Sequence, residues 1–383
     1  MTDVRCPVNE AADTSRNEPA LIMGSRKIIY SEYDQYVAAT AERLQEAGCR
    51  EGDRVGIVMP NHWGYAVLVM ALFRVKAVAC PMNTRLPPGE VKRLLDALAC
   101  VKLIAPPGTP GASGLPADRI WDSEDLVTFF RREPHPASRA VLSLDQPATV
   151  LMTAGRAGEA KAVLLSYGNH YYSARGANTN IRASSGSRWL LSGPLCRASG
   201  MSLLISSALG GASVAIPGAH EALPSAILQY GVTHLLLSPA ELARLLRGNL
   251  DPEGYRTLHA ILVADGPAPH DLLDRARARQ LPVCTSYGLT EMAFQVTAMP
   301  PAAPPDKRDT SGTALKYREL RIADDGEILV RGPTLFSGYL EDGQIRRPVD
   351  AEGWFPTGDV GRIDGDGYLT VVGLKGTGAR RGR

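Results

Sequence analysis

The sequence predicts an α/β protein with two doubly wound, mostly parallel sheets and an antiparallel β segment towards its C-terminal end. Three observations predict it. Short apolar runs alternate with amphipathic stretches over residues 27–105, the alternation resumes over 149–287, and past residue 300 short strands meet at Asp-Gly turns. Strands alternating with helices imply parallel sheets with covered faces, whereas Asp-Gly between strands favours hairpins. Residues 1–145 are therefore read as a first α/β unit, 146–300 as a second, 301–373 as the antiparallel segment and 374–383 as a basic tail.

In chain order, "KIIY" (27–30) reads as a strand. Ser31 then caps a helix with Tyr33, Val37, Leu44 and Ala47 on one face, stopped by Gly48. "DRVGIVMP" reads as a buried strand, "HWGYAVLVMALFRVKA" as a helix, "VACPMN" as a strand, "PPGEVKRLLDALA" as a helix and "VKLIA" as a strand. Residues 106–118, "PPGTPGASGLPAD", are too rich in proline, glycine and small residues to be a regular element. The second series has strands "TVLMT", "AVLLS", "WLLS", "ASVAIP", "THLLLS", "AILVA" and "LPVCTSY", with helices such as "PAELARLLRGN" and "PHDLLDRARARQ" between them. "RELRIADDGEILVRG" and "GWFPTGDVGRIDGDGYLTVVG" supply the antiparallel strands.

Composition narrows the function classes. The 383 residues are 44% hydrophobic and 21% charged, enough for a large core in more than one unit. Forty-two basic residues face 40 acidic ones, so charge makes no case for nucleic-acid binding, and a small-molecule ligand is the better expectation. The six cysteines form no C-x-x-C pair, which argues against zinc and disulfide frameworks. The N-terminus lacks the apolar core of a signal peptide, and the longest apolar run, 65–73, is too short to span a bilayer. A cytoplasmic protein without an integral membrane segment is the expectation.

The most specific stretch is "TSYGLTE", 285–291, directly after an apolar strand. At the carboxyl end of a parallel strand such a turn presents an aromatic face, a hydroxyl and a carboxylate into the ligand crevice. Its companions fall in a telling order: "TAGRAGEAKA" (153–162) upstream, "ADGPAP" (264–269) between, and "PTGDVG" (356–361) downstream. Taken singly, Tyr287 also reads as a core-edge tyrosine, Glu291 as a carboxylate at a helix start, and Asp359 as a turn aspartate beside Asp364 and Asp366. A Walker A loop fits poorly, because Ala160 and Ala162 flank Lys161 where glycine and a hydroxyl are needed. No G-x-G-x-x-G opens a first βα unit, and no G-x-S-x-G occurs, which disfavours a Rossmann oxidoreductase and an esterase.

In these motifs, and from "PALIMGSRKIIYSEY" to "DGYLTVVG", the chain resembles the acyl-adenylate-forming family of acyl-CoA synthetases, peptide-synthetase adenylation domains and luciferases. The resemblance implies the large N-terminal domain of the acyl-CoA synthetase type. It also implies that a small carboxylic acid attacks the α-phosphate of ATP with Mg²⁺ present, giving acyl-AMP for transfer to a thiol such as CoA. Tyr287 would then stack on adenine beside Gly288, Thr290 would meet the α-phosphate, Glu291 would hold Mg²⁺, and Asp359 would accept the ribose hydroxyls. Asp265, Gly266 and Pro267 would line the adenine, and Thr153, Gly155, Gly158 and Lys161 the outer phosphates. Lys161, Thr290 and Glu291 would carry catalysis. Arg197, Gly200 and Leu289 would border the acid.

Three stretches depart from the family. Ala154, Arg156 and Ala157 replace loop hydroxyls, and Pro-Lys-Gly becomes Ala160-Lys161-Ala162. In "LSGPLCRASG" Cys196 and Arg197 take an aromatic and a histidine position, and Arg197 is read either as the partner of a second substrate carboxylate or as a solvent-facing side chain. This stretch and "THLLLSPAELARLL" look most like ligases of o-succinylbenzoate and medium-sized acids. At the end, Leu374 stands for a ribose-contacting arginine and Thr377 for the hinge acid, and the small C-terminal domain with its lysine is expected to be absent. The alternative to a working ligase is thus a catalytically weak or inactive nucleotide- or acyl-binding module, with a C-terminal domain or carrier supplied in trans as the implied partner.

Overall fold

The computed structural model describes residues 2–127, 139–153, 160–248, 252–300 and 303–376. Two large sheets organise them. The eight-stranded sheet runs, in spatial order, Gln344–Arg346, Gly338–Glu341, Ala162–Ser166, Pro147–Met152, Val78–Pro81, Arg54–Ile57, Lys102–Ala105 and Ile120–Asp122. The nine-stranded sheet runs Thr313–Ala314, Phe294–Ala298, Val283–Leu289, Ala260–Val263, His234–Leu237, Arg188–Leu190, Ser213–Ala215, Pro19–Met23 and Arg26–Ile29. In the first sheet the strands from Pro147–Met152 to Ile120–Asp122 pair in parallel and the rest antiparallel; in the second, those from Val283–Leu289 to Pro19–Met23 pair in parallel and the flanking ones antiparallel. The doubly wound, mostly parallel expectation therefore holds. Glu319–Ile322, Glu327–Arg331, Phe355–Ile363 and Leu369–Leu374 form a separate four-stranded antiparallel sheet.

Sheet membership does not follow chain order. "KIIY" joins the second large sheet as the partner of Pro19–Met23, and "TVLMT" and "AVLLS" join the first as an antiparallel pair. Their antiparallel pairing follows from length, since a parallel return needs a dozen or more residues and only 153–161 separate them; the pairing of Thr149 with Ala79 puts them in the first sheet. Two strands past residue 300, Gly338–Glu341 and Gln344–Arg346, complete the edge of the first sheet.

The helix Trp63–Arg74 is buried on all sides from Gly64 to Phe73, as its unbroken apolar sequence requires. Tyr30–Glu46 packs beside it with Tyr33, Val37 and Leu44 buried. Its start differs from the sequence reading, since Ile29 is the N-cap and Glu32 accepts the Ile29 amide at 3.1 Å, while Ser31 lies inside the first turn. Ala47, expected on the packed face, is the exposed C-cap. The polar helix Tyr167–Asn180, which periodicity did not mark, packs on Ala198–Gly210. No helix among the described residues is long and apolar enough to cross a membrane.

Candidate active site

The candidate site gathers at the carboxyl ends of the parallel strands, where ligands bind open α/β sheets. Val283–Leu289 turns back at Thr290–Met292 into Phe294–Ala298, with a register shift between Tyr287 and Gly288. That hairpin explains the Tyr-Gly pair. A Cβ on Gly288 would stand 2.3 Å from the Phe294 carbonyl oxygen, so only glycine lets the two backbones approach so closely. Ala293 and Phe294 take the turn with φ of +51° and +102°, a conformation L residues rarely adopt. Glu291 thus sits in a single 3₁₀ turn, and the helix-start reading of it fails.

Tyr287 is brought to Asp359, 72 residues away, and its hydroxyl donates to Asp359 Oδ2 at 2.8 Å. Both are less than a tenth exposed. Asp359 lies within the strand Phe355–Ile363, not in a turn; it is Asp364 that caps the following turn, accepting the Asp366 and Tyr368 amides. Thr357 and Glu327 fix the backbone around Asp359: the Asp359 amide donates to Thr357 Oγ1 at 3.1 Å and the Gly358 amide to Glu327 Oε1 at 2.9 Å. The outcome is a fixed carboxylate bonded to the hydroxyl of a neighbouring aromatic ring.

The second cluster lies where the end of Ala162–Ser166 meets the Thr290–Met292 turn. Thr153 and Lys161 close the neck of the 153–162 loop: the Thr153 amide donates to the Lys161 carbonyl at 2.9 Å, and the Lys161 amide to Thr153 Oγ1 at 3.0 Å. Lys161 Nζ lies 4.7 Å from the Tyr339 ring centroid. The Tyr339 hydroxyl donates to Glu291 Oε1 at 2.6 Å, and burial together with the Glu291 carboxylate holds that phenol well above its ordinary pKa. Gly155, Gly158, Ala154, Arg156 and Ala157 of the loop lie outside the described residues, as does Thr377.

The donor set around Glu291 fits Mg²⁺. One half-buried carboxylate with one oxygen held by a phenol leaves the other for a hard cation, which Mg²⁺ shares with phosphates and water. No group of three or more His, Cys, Asp or Glu side chains that could hold a metal occurs among the described residues, which sets the site apart from an all-protein metal cage. Thr290 is half-buried on the same turn.

On the acid side, Arg197 is the exposed N-cap residue of Ala198–Gly210. Gly200 packs under Pro194, where a Cβ would come within 2.5 Å of the Pro194 carbonyl oxygen. Asp265 holds a left-handed φ of +61° and accepts Ser199 Oγ at 2.7 Å. The residue is exposed overall, yet its carboxylate is turned inward: desolvation raises its pKa, and the Ser199 hydroxyl and Arg197 guanidinium partly offset that. Gly266 and Pro267 follow, exposed, at the same edge.

Against the same hairpin lies a narrow cavity of about 30 Å³, bounded by Ile181, Trp189, Leu203, Leu236, Leu262 and Phe294; Arg197, Gly200 and Leu289 are not among the residues that line it. Gln295 also lines it, and Gln295 and Phe294 pair with Gly288 and Leu289 across the hairpin. Ser202 and Ser206 add hydroxyls from the helix, and Trp189 stacks on His234 at 4.8 Å. The sequence reasoning missed this wall and Tyr339. Ser199, Ser202 and Ser206, at i, i+3 and i+7 of a helix that is apolar apart from these and Ser207, were a legible polar stripe; "SGYL" around Tyr339 carried no signal.

The AMP-binding enzyme family matches residues 8–340. A 2-succinylbenzoate–CoA ligase of Geobacillus sp. (strain WCH70) is 31% identical over 368 residues, 92% of this chain and 73% of its own. The o-succinylbenzoate CoA synthetase of Bacillus subtilis with its acyl-adenylate intermediate superposes with a TM-score of 0.86 at 27% identity, over 98% of this chain and 79% of that one. The same protein with ATP and magnesium superposes with a TM-score of 0.85 at 27% identity, over 97% and 80%. The chain belongs to the AMP-binding enzyme family, within the acyl-adenylate-forming superfamily.

Proposed function

We propose that this chain activates a carboxylic acid with ATP as an acyl-adenylate and passes the acyl group to a thiol such as CoA. The observation that carries the reading is the arrangement on one hairpin: Val283–Leu289 holds Tyr287 against Asp359, while its partner strand lines the apolar pocket with Phe294 and Gln295. An acid that opens this apolar wall, carboxyl towards Leu289 and Thr290, would meet a nucleotide seated on Tyr287 and Asp359. A carboxylate oxygen bonds to the α-phosphorus, the bond to the bridging oxygen breaks and pyrophosphate leaves; the thiol sulfur then attacks the acyl carbon and AMP leaves.

The protein's part is positioning and charge stabilisation. Thr290 donates to the α-phosphate, Lys161 faces the departing pyrophosphate, and Asp359 accepts the ribose hydroxyls. Glu291 would hold Mg²⁺, which neutralises phosphate charge. The acid is medium-sized and largely apolar, with a second carboxylate for Arg197, a reading supported by the relatives named as ligases of 2-succinylbenzoate, itself an aromatic diacid.

Pyrophosphate exchange over a panel of acids tests both levels. Arg197→Ala should weaken a diacid about tenfold, the value of one charge-assisted contact, and leave its mono-acid analogue unchanged; equal effects on the two would remove Arg197 from recognition. Failure to bind millimolar ATP with Mg²⁺ in calorimetry would defeat the whole reading. The loop hydroxyls replaced by Ala154, Arg156 and Ala157 favour a second reading, a nucleotide- or acyl-binding module without turnover. ATP binding with no exchange for any acid would select it.

A further inference from the structure

Tyr339 is held from every side. It lies on Gly338–Glu341, opposite Val163 of the strand that follows Lys161. Gly338 has a φ of +150°, and a Cβ there would come within 2.8 Å of the Arg346 carbonyl oxygen, so the hairpin to Gln344–Arg346 closes tightly on it. The ring packs edge-on against Phe336 at 4.8 Å and Phe355 at 6.4 Å and is 5% exposed. Its hydroxyl meets Glu291 Oε1 at 2.6 Å, its ring lies 4.7 Å from Lys161 Nζ, and the neighbouring Phe336 amide donates to the Glu291 carbonyl at 2.8 Å. One short segment thus fixes both the backbone and the side chain of Glu291 and touches the lysine expected to face phosphate.

We propose that Tyr339 is a positioning residue for nucleotide-bound metal: its hydroxyl locks one Glu291 oxygen so that the other faces the cation, while its ring face parks the Lys161 ammonium beside the same phosphates. The inference rests on the reading of Glu291 as the metal's carboxylate. A phenol donating to an ionised carboxylate at this distance is a charge-assisted bond, and a fixed rotamer spares the carboxylate the ordering it would otherwise undergo on binding the ion. Partners of this kind commonly change metal affinity by about 10–100-fold when removed. The ring contributes separately, because an ammonium over an aromatic face is attracted to it without a hydrogen bond.

The test is calorimetry of ATP binding across a Mg²⁺ titration, with Mn²⁺ paramagnetic resonance on the ATP-loaded protein as an independent readout. Tyr339→Phe keeps the ring and should leave ATP binding in EDTA unchanged while cutting Mg²⁺ enhancement about tenfold or more. Tyr339→Leu should also weaken ATP binding in EDTA, because Lys161 loses its seat. Wild-type Mg²⁺ dependence in Tyr339→Phe, alongside its loss in Glu291→Gln, overturns the role of Tyr339 alone. Wild-type Mg²⁺ dependence in Glu291→Gln overturns the reading beneath it. Should Tyr339→Phe not fold, Glu291→Asp withdraws the carboxylate from the phenol while keeping its charge, and the same loss is expected; wild-type Mg²⁺ dependence there refutes the proposal.

Discussion

Replacing Arg318 by methionine tests whether a buried arginine, far from any catalytic assignment, holds the acid pocket together. Arg318 is 6% exposed and pairs with no carboxylate among the described residues. Nε donates to the Gln295 carbonyl, Nη1 to the Lys316 carbonyl at 2.8 Å, and Nη2 to the carbonyl and hydroxyl oxygens of Ser173 at 3.1 and 2.8 Å. It thereby ties the strand carrying Gln295 to the helix Tyr167–Asn180, both of which line the pocket. Gly176 makes room for it, since a Cβ there would stand 2.1 Å from Nη1.

Two terms oppose each other. Burial pushes the guanidinium down to about 9 from 12.5, still protonated at neutral pH. That displacement corresponds to about 5 kcal/mol of desolvation, and four charge-assisted bonds at about 1.5 kcal/mol each offset it. Methionine removes both terms and leaves the Ser173, Gln295 and Lys316 carbonyls without this donor, at about 1 kcal/mol each. A loss of about 4 kcal/mol is therefore expected, read as a lower urea midpoint with unchanged slope, together with weaker acid binding as Gln295 loses its anchor. A variant within about 0.5 kcal/mol of wild type would show that burying the charge costs as much as its bonds and the satisfied carbonyls together return, and the reasoning would fail.

Two further outcomes follow from the buried polar groups and the hairpin. His170, 2% exposed and bonded to Thr149 Oγ1 at 2.8 Å, is pushed down to about 3 by burial, so the unfolded chain alone takes up its proton as pH falls below 6.5. Stability should hold above about pH 7 and fall below it, with His170 accounting for about 2 kcal/mol at pH 5; urea midpoints at pH 8 and 5 for wild type and His170→Gln test this, and an equal drop in both would refute it. Gly288→Ala must move the Phe294 backbone away from a contact of 2.3 Å, and overpacking of this kind costs about 1–3 kcal/mol. Nucleotide and acid binding should weaken together, because the same hairpin serves Tyr287 and Gln295; loss of only one would separate the two sites.

The sequence by itself determined what is written locally. Periodicity marked the strands that become the parallel interiors, and "TSYGLTE" marked the turn because Gly288 answers to a contact only six residues on. Asp359 was legible through its motif alone. Local pattern also misled: Ser31 looked like a cap, but the Glu32 carboxylate reaches back to Ile29 and starts the helix there. "TVLMT" and "AVLLS" looked like members of the second series, and the pairing of Thr149 with Ala79, 70 residues away, put both in the first sheet. Only the tertiary structure decided which side chains meet: Tyr287 with Asp359 across 72 residues, Tyr339 with Glu291 across 48, and Arg318 with Ser173 across 145. The physical reason is that helix and strand periods constrain which face of an element is buried, whereas a hydrogen-bonded pair across sheets depends on strand order, register and crossing, which no local window contains.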